Sequence, residues 1–150
     1  MKKVFLLCSI LIGTNGFAQT MEQTMEKRAR EFHRVIGLDD KGLWKKFIEE
    51  NYTKALIEKP MRAKTVKQGE EGQSSESKEI KGTIEDKLKI FQQLHDDFNG
   101  AKIVSIKPNG ENLEMELSKG DFAGTFKFKF DKNKPYFIDG ISIQAEGGER

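Results

Sequence analysis

The chain has 150 residues, a length that suits one domain with a modest hydrophobic core. It carries 26 basic and 24 acidic residues, so its formal net charge is only +2, and no basic stripe with interleaved aromatics marks a nucleic-acid surface. The single cysteine, Cys8, and the two histidines argue against a disulfide framework and a zinc site, and we expect no cofactor.

The first 18 residues have the pattern of an export signal. Lys2 and Lys3 are followed by an apolar run over residues 4–12 and then by small and polar residues as far as Ala18. The apolar run is short for a bilayer span; a buried first helix, a retained anchor or lipidation at Cys8 are the alternatives. We expect an exported protein, periplasmic or secreted, with no membrane segment after cleavage and a single domain over residues 19–150.

Two helices are predicted in the first part of that domain. Residues 20–36 repeat apolar side chains at three- and four-residue spacing, and Gly37 is placed to end the helix. Asp39 or Asp40 is expected to cap the second helix, which closes at Tyr52. A short apolar piece follows before a proline. The apolar face of the second helix comprises Leu43, Trp44, Phe47 and Ile48.

A polar stretch, residues 64–82, separates these helices from a third. It holds no large apolar residue between Gly69 and Lys78, and such a composition does not offset the entropy of ordering. We interpret it as a mobile loop inside the domain, because neither side alone can bury its apolar face. The third helix starts at Thr83, which has the capping-box spacing with Asp86.

Four β-strands are predicted after the third helix. Apolar and polar residues alternate in the second and third strands, so each has one dry face. Asn109-Gly110 favours a type I′ turn, and Gly140 lies at a change of parity that suggests a bulge. Short connections force antiparallel neighbours. The predicted strands cover residues 101–107, 112–119, 122–130 and 136–145.

The predicted fold class is therefore α+β. Two or three N-terminal helices pack on one face of a curved four-stranded antiparallel meander sheet, in the manner of a cone-like half-barrel. On the outer face, Lys127 and Lys129 are expected opposite Glu114 and Glu116 as solvated cross-strand pairs.

Three segments in this order resemble a known group of proteins. They are Phe-Ile-Glu-Glu-Asn-Tyr at 47–52, Leu-His-Asp-Asp-Phe-Asn-Gly at 94–100 and Pro-Tyr-Phe-Ile-Asp-Gly-Ile at 135–141. After paired helices, they resemble small exported domains of the nuclear transport factor two-like (cystatin-like) type. Similar modules are fused ahead of secreted serine hydrolases and some exported peptidases. The resemblance implies a cone with a pocket between helices and sheet; the long polar loop departs from that pattern.

Two side chains are candidates for catalysis. The parity of Asp139 directs it to the dry side of the sheet, where burial would raise its pKa and make it a general base; a bulge at Gly140 would instead turn it outward. His33 is a candidate acid or base on the first helix, or else a flank residue that contributes a hydrogen bond. His95 is interpreted as a core or boundary histidine.

Large aromatic residues are the candidate ligand-binding set, with simple core packing as the alternative. The set comprises Trp44, Phe47, Tyr52, Phe126 and Phe128. The predicted function is that of an exported, non-catalytic binding or protein-interaction module. A small-molecule carrier, or a proton-transfer enzyme with an apolar cone pocket, is the alternative. The expected partners are another exported protein, a small apolar ligand, or a second copy that pairs through the sheet.

Overall fold

The computed structural model describes residues 19–60 and 81–146, with side chains described as far as Gln144. The predicted export signal and most of the predicted polar loop therefore lie outside the described residues. In chain order the elements are α1 (Met21–Ile36), α2 (Lys41–Asn51), α3 (Lys54–Glu58), α4 (Ile84–Phe98), β1 (Lys102–Asn109), β2 (Asn112–Lys119), β3 (Phe122–Phe130) and β4 (Ile138–Glu146).

The α+β prediction is confirmed. The strands form one sheet in the order β1-β2-β3-β4, each pair is antiparallel, and the sheet is open rather than closed into a barrel. Side chains from α1, α2, α4 and the inner face of the sheet share one hydrophobic core. The short apolar piece after Tyr52 forms α3, a helix of five residues.

Side chains fix the helix starts where the sequence predicts them. Thr20 caps α1, and Asp40 caps α2 by accepting a hydrogen bond from the Leu43 N–H at 3.0 Å. Thr83 and Asp86 form the complete capping box of α4, with the Asp86 N–H donating to the Thr83 hydroxyl at 3.2 Å. Gly37 follows the last residue of α1 but keeps a right-handed φ of −74°, so it does not act as a left-handed stop.

The predicted type I′ turn is wrong. Asn109 pairs with Asn112, which leaves Gly110 and Glu111 as the two central residues of the turn. Only the first of them has a positive φ, +60° at Gly110, which is the pattern of a type II′ turn. The turn between β2 and β3 repeats this arrangement with Gly120, whose φ is also +60°.

The predicted irregularity in β4 is confirmed as a β-bulge. Lys129 pairs with Gly140 and Phe130 pairs with Ile138, so Asp139 is the extra residue on β4. The bulge changes the face to which the following residues point, which accounts for the parity change in the sequence. Beside it, the Thr53 N–H donates to the Ile138 carbonyl at 2.9 Å and fixes the start of α3 to the sheet edge.

Aromatic rings fill the space between the helices and the sheet. Phe32 on α1 lies at the centre, with its ring centroid 5.2–5.9 Å from those of four other phenylalanines: Phe47, Phe91, Phe126 and Phe128. All four pairs have the tilted or edge-to-face geometry that aromatic quadrupoles favour. Below them, Leu113, Met115 and Leu117 of β2 are fully buried.

A close backbone approach brings the start of α4 against the end of α3. The Gly82 N–H donates to the Glu58 carbonyl at 2.9 Å, and a Cβ at Gly82 would lie 2.4 Å from the Lys59 carbonyl oxygen. A glycine is therefore required here, because any side chain would force the two segments apart. This contact positions Lys59 and Pro60 beside the first turns of α4.

Candidate functional site

The five predicted ligand-binding aromatics belong to the packed core. Trp44, Phe126 and Phe128 are at most 1% exposed. The Trp44 indole N–H donates to the carbonyls of Val35 and Leu38 at 2.8 and 2.9 Å. It thereby ties α2 to the end of α1. Phe47 and Tyr52 lie at the edge of the core and each also lines a groove at the surface.

Asp139 lies at the sheet edge rather than in the interior between helices and sheet. The bulge removes it from the alternation of β4, and its Oδ1 accepts a hydrogen bond from the Thr53 hydroxyl at 2.9 Å. The same hydroxyl accepts the Leu56 N–H at 3.1 Å as the cap of α3. Asp139 lines neither of the two grooves described below. Its contacts join α3 to β4.

Both histidines bind backbone carbonyls. His33 Nε2 lies 2.7 Å from the Ala101 carbonyl oxygen, and His95 Nδ1 lies 2.8 Å from the Ile36 carbonyl oxygen. Each contact requires the proton on that ring nitrogen, because a carbonyl only accepts. His33 thus connects α1 to the residue before β1, and His95 connects α4 to the last carbonyl of α1.

Arg28 is a structural residue that the sequence patterns do not reveal. Its guanidinium donates to the Asn51 side-chain oxygen and to the Pro135 carbonyl, the latter at 3.0 Å, and lies over the Phe137 ring at 5.1 Å from the centroid. Burial lowers the pKa of Arg28 from its usual value. Arg28 lies next to Ala29, which is on the buried stripe of α1. Charged residues are common at such flanking positions of amphipathic helices, so this position alone does not predict a structural role.

The first groove, called the α1–α2 groove, has a volume of about 420 Å³ and is open to solvent. Its walls carry basic side chains, including Lys27, Arg28 and Lys46. Arg34 is held by Glu31 through two hydrogen bonds of 2.6 and 2.8 Å, and this contact lowers the pKa of Glu31. Glu50 also lines the groove, 3.9 Å from the ammonium of Lys46. Four basic side chains and two acidic ones thus give the described lining an excess of positive charge.

The second groove, called the α4–β4 pocket, is smaller and more apolar. It has a volume of about 240 Å³ and lies between α3, α4 and β4. Its apolar walls include Leu56, Ile90, Leu94, Ile141 and Ile143. Its polar lining comes from Tyr52, Lys59 and Lys87, and burial raises the pKa of Tyr52.

Lys87 in this pocket is the second residue that sequence reasoning missed. It is only 6% exposed, its ammonium donates to the Lys59 carbonyl at 2.9 Å, and burial lowers the pKa of its side chain. A signal for it exists in the sequence. Lys87 precedes Phe91, Leu94 and Phe98 at spacings of four, seven and eleven, which places it on the buried stripe of α4.

Within residues 19–60 and 81–146, no group of three acidic, histidine or cysteine side chains is arranged to hold a metal ion, and no helix is long and apolar enough to cross a membrane. Comparison of the chain with protein-family models, with curated proteins and with solved structures gives no match. The resemblance to nuclear transport factor two-like domains therefore stays a prediction.

Proposed function

We propose that this chain is an exported, non-catalytic binding or protein-interaction module of the nuclear transport factor two-like type. The observation that supports it best is the aromatic filling between helices and sheet. Phe32 contacts rings from α2, α4 and β3, and the predicted pocket aromatics are themselves part of this core. Because ring packing occupies the interior, binding takes place on the outside of the domain.

The candidate catalytic groups support the same proposal. Asp139 and His33 are each half-buried and engaged by one partner, the Thr53 hydroxyl and the Ala101 carbonyl. A general base needs a substrate proton within hydrogen-bond reach, and neither group lines the α1–α2 groove or the α4–β4 pocket. These contacts favour structural roles for both side chains over proton transfer.

The alternative function, a small-molecule carrier, is favoured by one specific feature. The α4–β4 pocket combines apolar walls with a buried lysine, which is the composition of many ligand sites. In that alternative the ligand occupies the edge of the domain and not the centre of the cone.

Two outer surfaces are available for a protein partner. The α1–α2 groove presents basic side chains, and the outer face of the sheet presents alternating charges such as the Lys127–Glu114 pair, whose charged atoms lie 3.2 Å apart. Complementary charge across an interface directs encounter and selects partners. The partner we propose is another exported protein, or a second copy pairing through the sheet.

Site-specific photo-cross-linking in the producing cells tests this proposal. A photoreactive residue at Lys46 samples the α1–α2 groove, and one at Lys129 samples the outer sheet face; Asn133, in the exposed loop after β3, serves as the control position. We expect one discrete adduct from one of the two surfaces and none from Asn133. If the same adduct forms with the purified chain alone, the partner is a second copy. The proposal fails if neither surface gives an adduct.

A further inference from the structure

We propose that the α4–β4 pocket binds a small amphipathic carboxylate, with its apolar chain between α4 and β4 and its carboxylate on the ammonium of Lys87. The inference rests on the alternative function given above, a small-molecule carrier, and names its site and its ligand class. It does not depend on which protein partner the outer surfaces bind.

The charge of the pocket carries the argument. Lys59 and Lys87 both line it, and no aspartate or glutamate is among its described lining residues. The nearest acidic residue along α4, Asp86, accepts hydrogen bonds from Thr83 and lies 3.5 Å from the ammonium of Lys89. Asp86 acts on Lys87 only through its charge, and among the described residues no carboxylate lies within ion-pair distance of the Lys87 ammonium.

A half-buried ammonium on an otherwise buried lysine side chain favours an anionic ligand. Lysine has three N–H donors, and the one described hydrogen bond of Lys87, to the Lys59 carbonyl, uses one of them. A charge removed from water is unfavourable unless it is paired and hydrogen-bonded. A carboxylate in the pocket would supply both the opposite charge and two acceptor oxygens.

The walls and the volume define the rest of the ligand. The side chains that face the pocket from α4 and β4 are chiefly aliphatic, including Ile90, Leu94, Ile141 and Ile143, so the body of the ligand is apolar. The volume of about 240 Å³ is below the roughly 300–1,000 Å³ of drug-sized sites and above the roughly 150 Å³ that holds benzene. A ligand of about ten non-hydrogen atoms fits this range, and octanoate is a suitable probe.

The test is a calorimetric titration of the protein, purified from its producing cells, with octanoate and with octan-1-ol. The alcohol keeps the apolar chain and removes the charge. Lys87→Met removes the ammonium at nearly constant length, and Lys89→Met is the matched control, because Lys89 is on the same helix with a largely exposed side chain. We expect the parent to bind octanoate saturably and more tightly than octan-1-ol. The affinity for octanoate should fall about tenfold or more in Lys87→Met and stay unchanged in Lys89→Met. Without Lys87, octanoate should bind no more tightly than octan-1-ol.

A second variant keeps the test decisive if Lys87→Met does not fold. Ile143→Ser alters an apolar wall at a side chain that is 39% exposed, so the fold should tolerate it. We expect it to weaken octanoate and octan-1-ol alike. Equal octanoate affinity in the parent and in Lys87→Met, or no saturable binding by the parent, would overturn the carboxylate site. Either result leaves the cross-linking outcome for a protein partner unaffected, so the two proposals fail separately.

Discussion

Single polar side chains connect parts of this fold that are far apart in sequence. Arg28 joins α1 to the end of α2 and to the loop before β4 through donors to Asn51 and Pro135. His33 and His95 make comparable connections from one ring nitrogen each. These contacts satisfy carbonyls that lie outside regular ladders, where an unpaired acceptor would otherwise be destabilising.

The two histidines make a structural role testable at the level of a single atom. The side-chain amide nitrogen of glutamine lies as many bonds from the backbone as Nε2, and that of asparagine corresponds to Nδ1. We expect His33→Gln to keep most of the stability that His33→Ala loses, about 1–2 kcal/mol for a half-buried hydrogen bond and its packing. His95→Asn should likewise be milder than His95→Ala. Urea denaturation of the four variants measures these differences.

The control for His33 is a substitution by the shorter amide, asparagine. His33→Asn has a donor that is one bond too short to reach the Ala101 carbonyl, and it should be as destabilising as His33→Ala. If His33→Gln and His33→Asn were equally stable, the bond from Nε2 to the Ala101 carbonyl would not explain the role of His33.

At the scale of the strands, a glycine determines how closely α4 approaches the sheet. A Cβ at Gly124 of β3 would lie 2.9 Å from the ring of Phe98, which packs directly over it. Gly124→Ala should therefore destabilise the protein by about 1–3 kcal/mol, as overpacked core positions do. The measurement is the change in free energy of unfolding by urea.

A glycine on the neighbouring strand is the control for backbone effects. A Cβ at Gly140 would meet only the Lys129 Cβ, at an ordinary contact distance of 3.5 Å. Gly140→Ala should be neutral or stabilising by up to about 1 kcal/mol, because glycine is entropically unfavourable in a strand. A loss at Gly140 as large as that at Gly124 would contradict the steric explanation.

The first turn of α4 gives a pH-dependent prediction. Hydrogen bonds from Thr83 lower the pKa of Asp86 below its usual value. A carboxylate with a lowered folded-state pKa stabilises the fold above its unfolded pKa, and this stabilisation is lost as the pH falls through the folded pKa. Thr83→Ala should lower the free energy of unfolding by about 1 kcal/mol at neutral pH. The difference in stability between the variant and the parent should become smaller below the usual pKa of a carboxyl group.

Thermal unfolding of the parent and Thr83→Ala across acidic pH provides that measurement. Lys89→Met distinguishes the contribution of the cap from that of the Asp86–Lys89 ion pair, whose charged atoms lie 3.5 Å apart at an exposed position. It should leave the pH dependence of the cap nearly unchanged, since exposed ion pairs contribute little. If the stability difference between Thr83→Ala and the parent were the same at all pH values, the hydrogen bond from the Thr83 hydroxyl to the Asp86 carboxylate would not contribute to the cap.

For the whole molecule, periodic patterns predicted the elements and their order, but not the contacts of polar side chains. The alternation in β2 and β3 predicted the strands, and the capping residues Asp40 and Thr83 predicted where helices begin. Both signals can be recognised in the sequence because they act locally. The turn type was missed because pairing of Asn109 with Asn112, a tertiary register, decides which residues are central. Lys87 lies at a position of the apolar stripe of α4, but a charged residue there is not expected to be buried.

The candidate sites were harder to predict for the same reason. Whether Trp44 and Phe128 line a pocket or fill a core depends on how closely the helices approach the sheet, and no local pattern encodes that distance. The position of Asp139 depended on which residue of β4 is the extra one in the bulge, and only the pairing with β3 decides this.

Export of the whole chain is predicted to include cleavage of one peptide bond, the bond between Ala18 and Gln19. Cleavage after Ala18 would leave Gln19 as the first residue and keep Thr20, whose hydroxyl accepts the Gln23 N–H at 3.2 Å as the cap of α1. The mature chain would then retain all of α1 without the apolar run that precedes it. We expect the protein recovered outside the cytoplasm to begin at Gln19, as read by mass spectrometry of its N-terminal peptide. Ala18→Asp should block processing, since the cleavage site requires a small residue. A chain that starts at Met1 and stays in the cytoplasm would contradict export, whereas a membrane-held chain modified at Cys8 would favour the lipidation alternative.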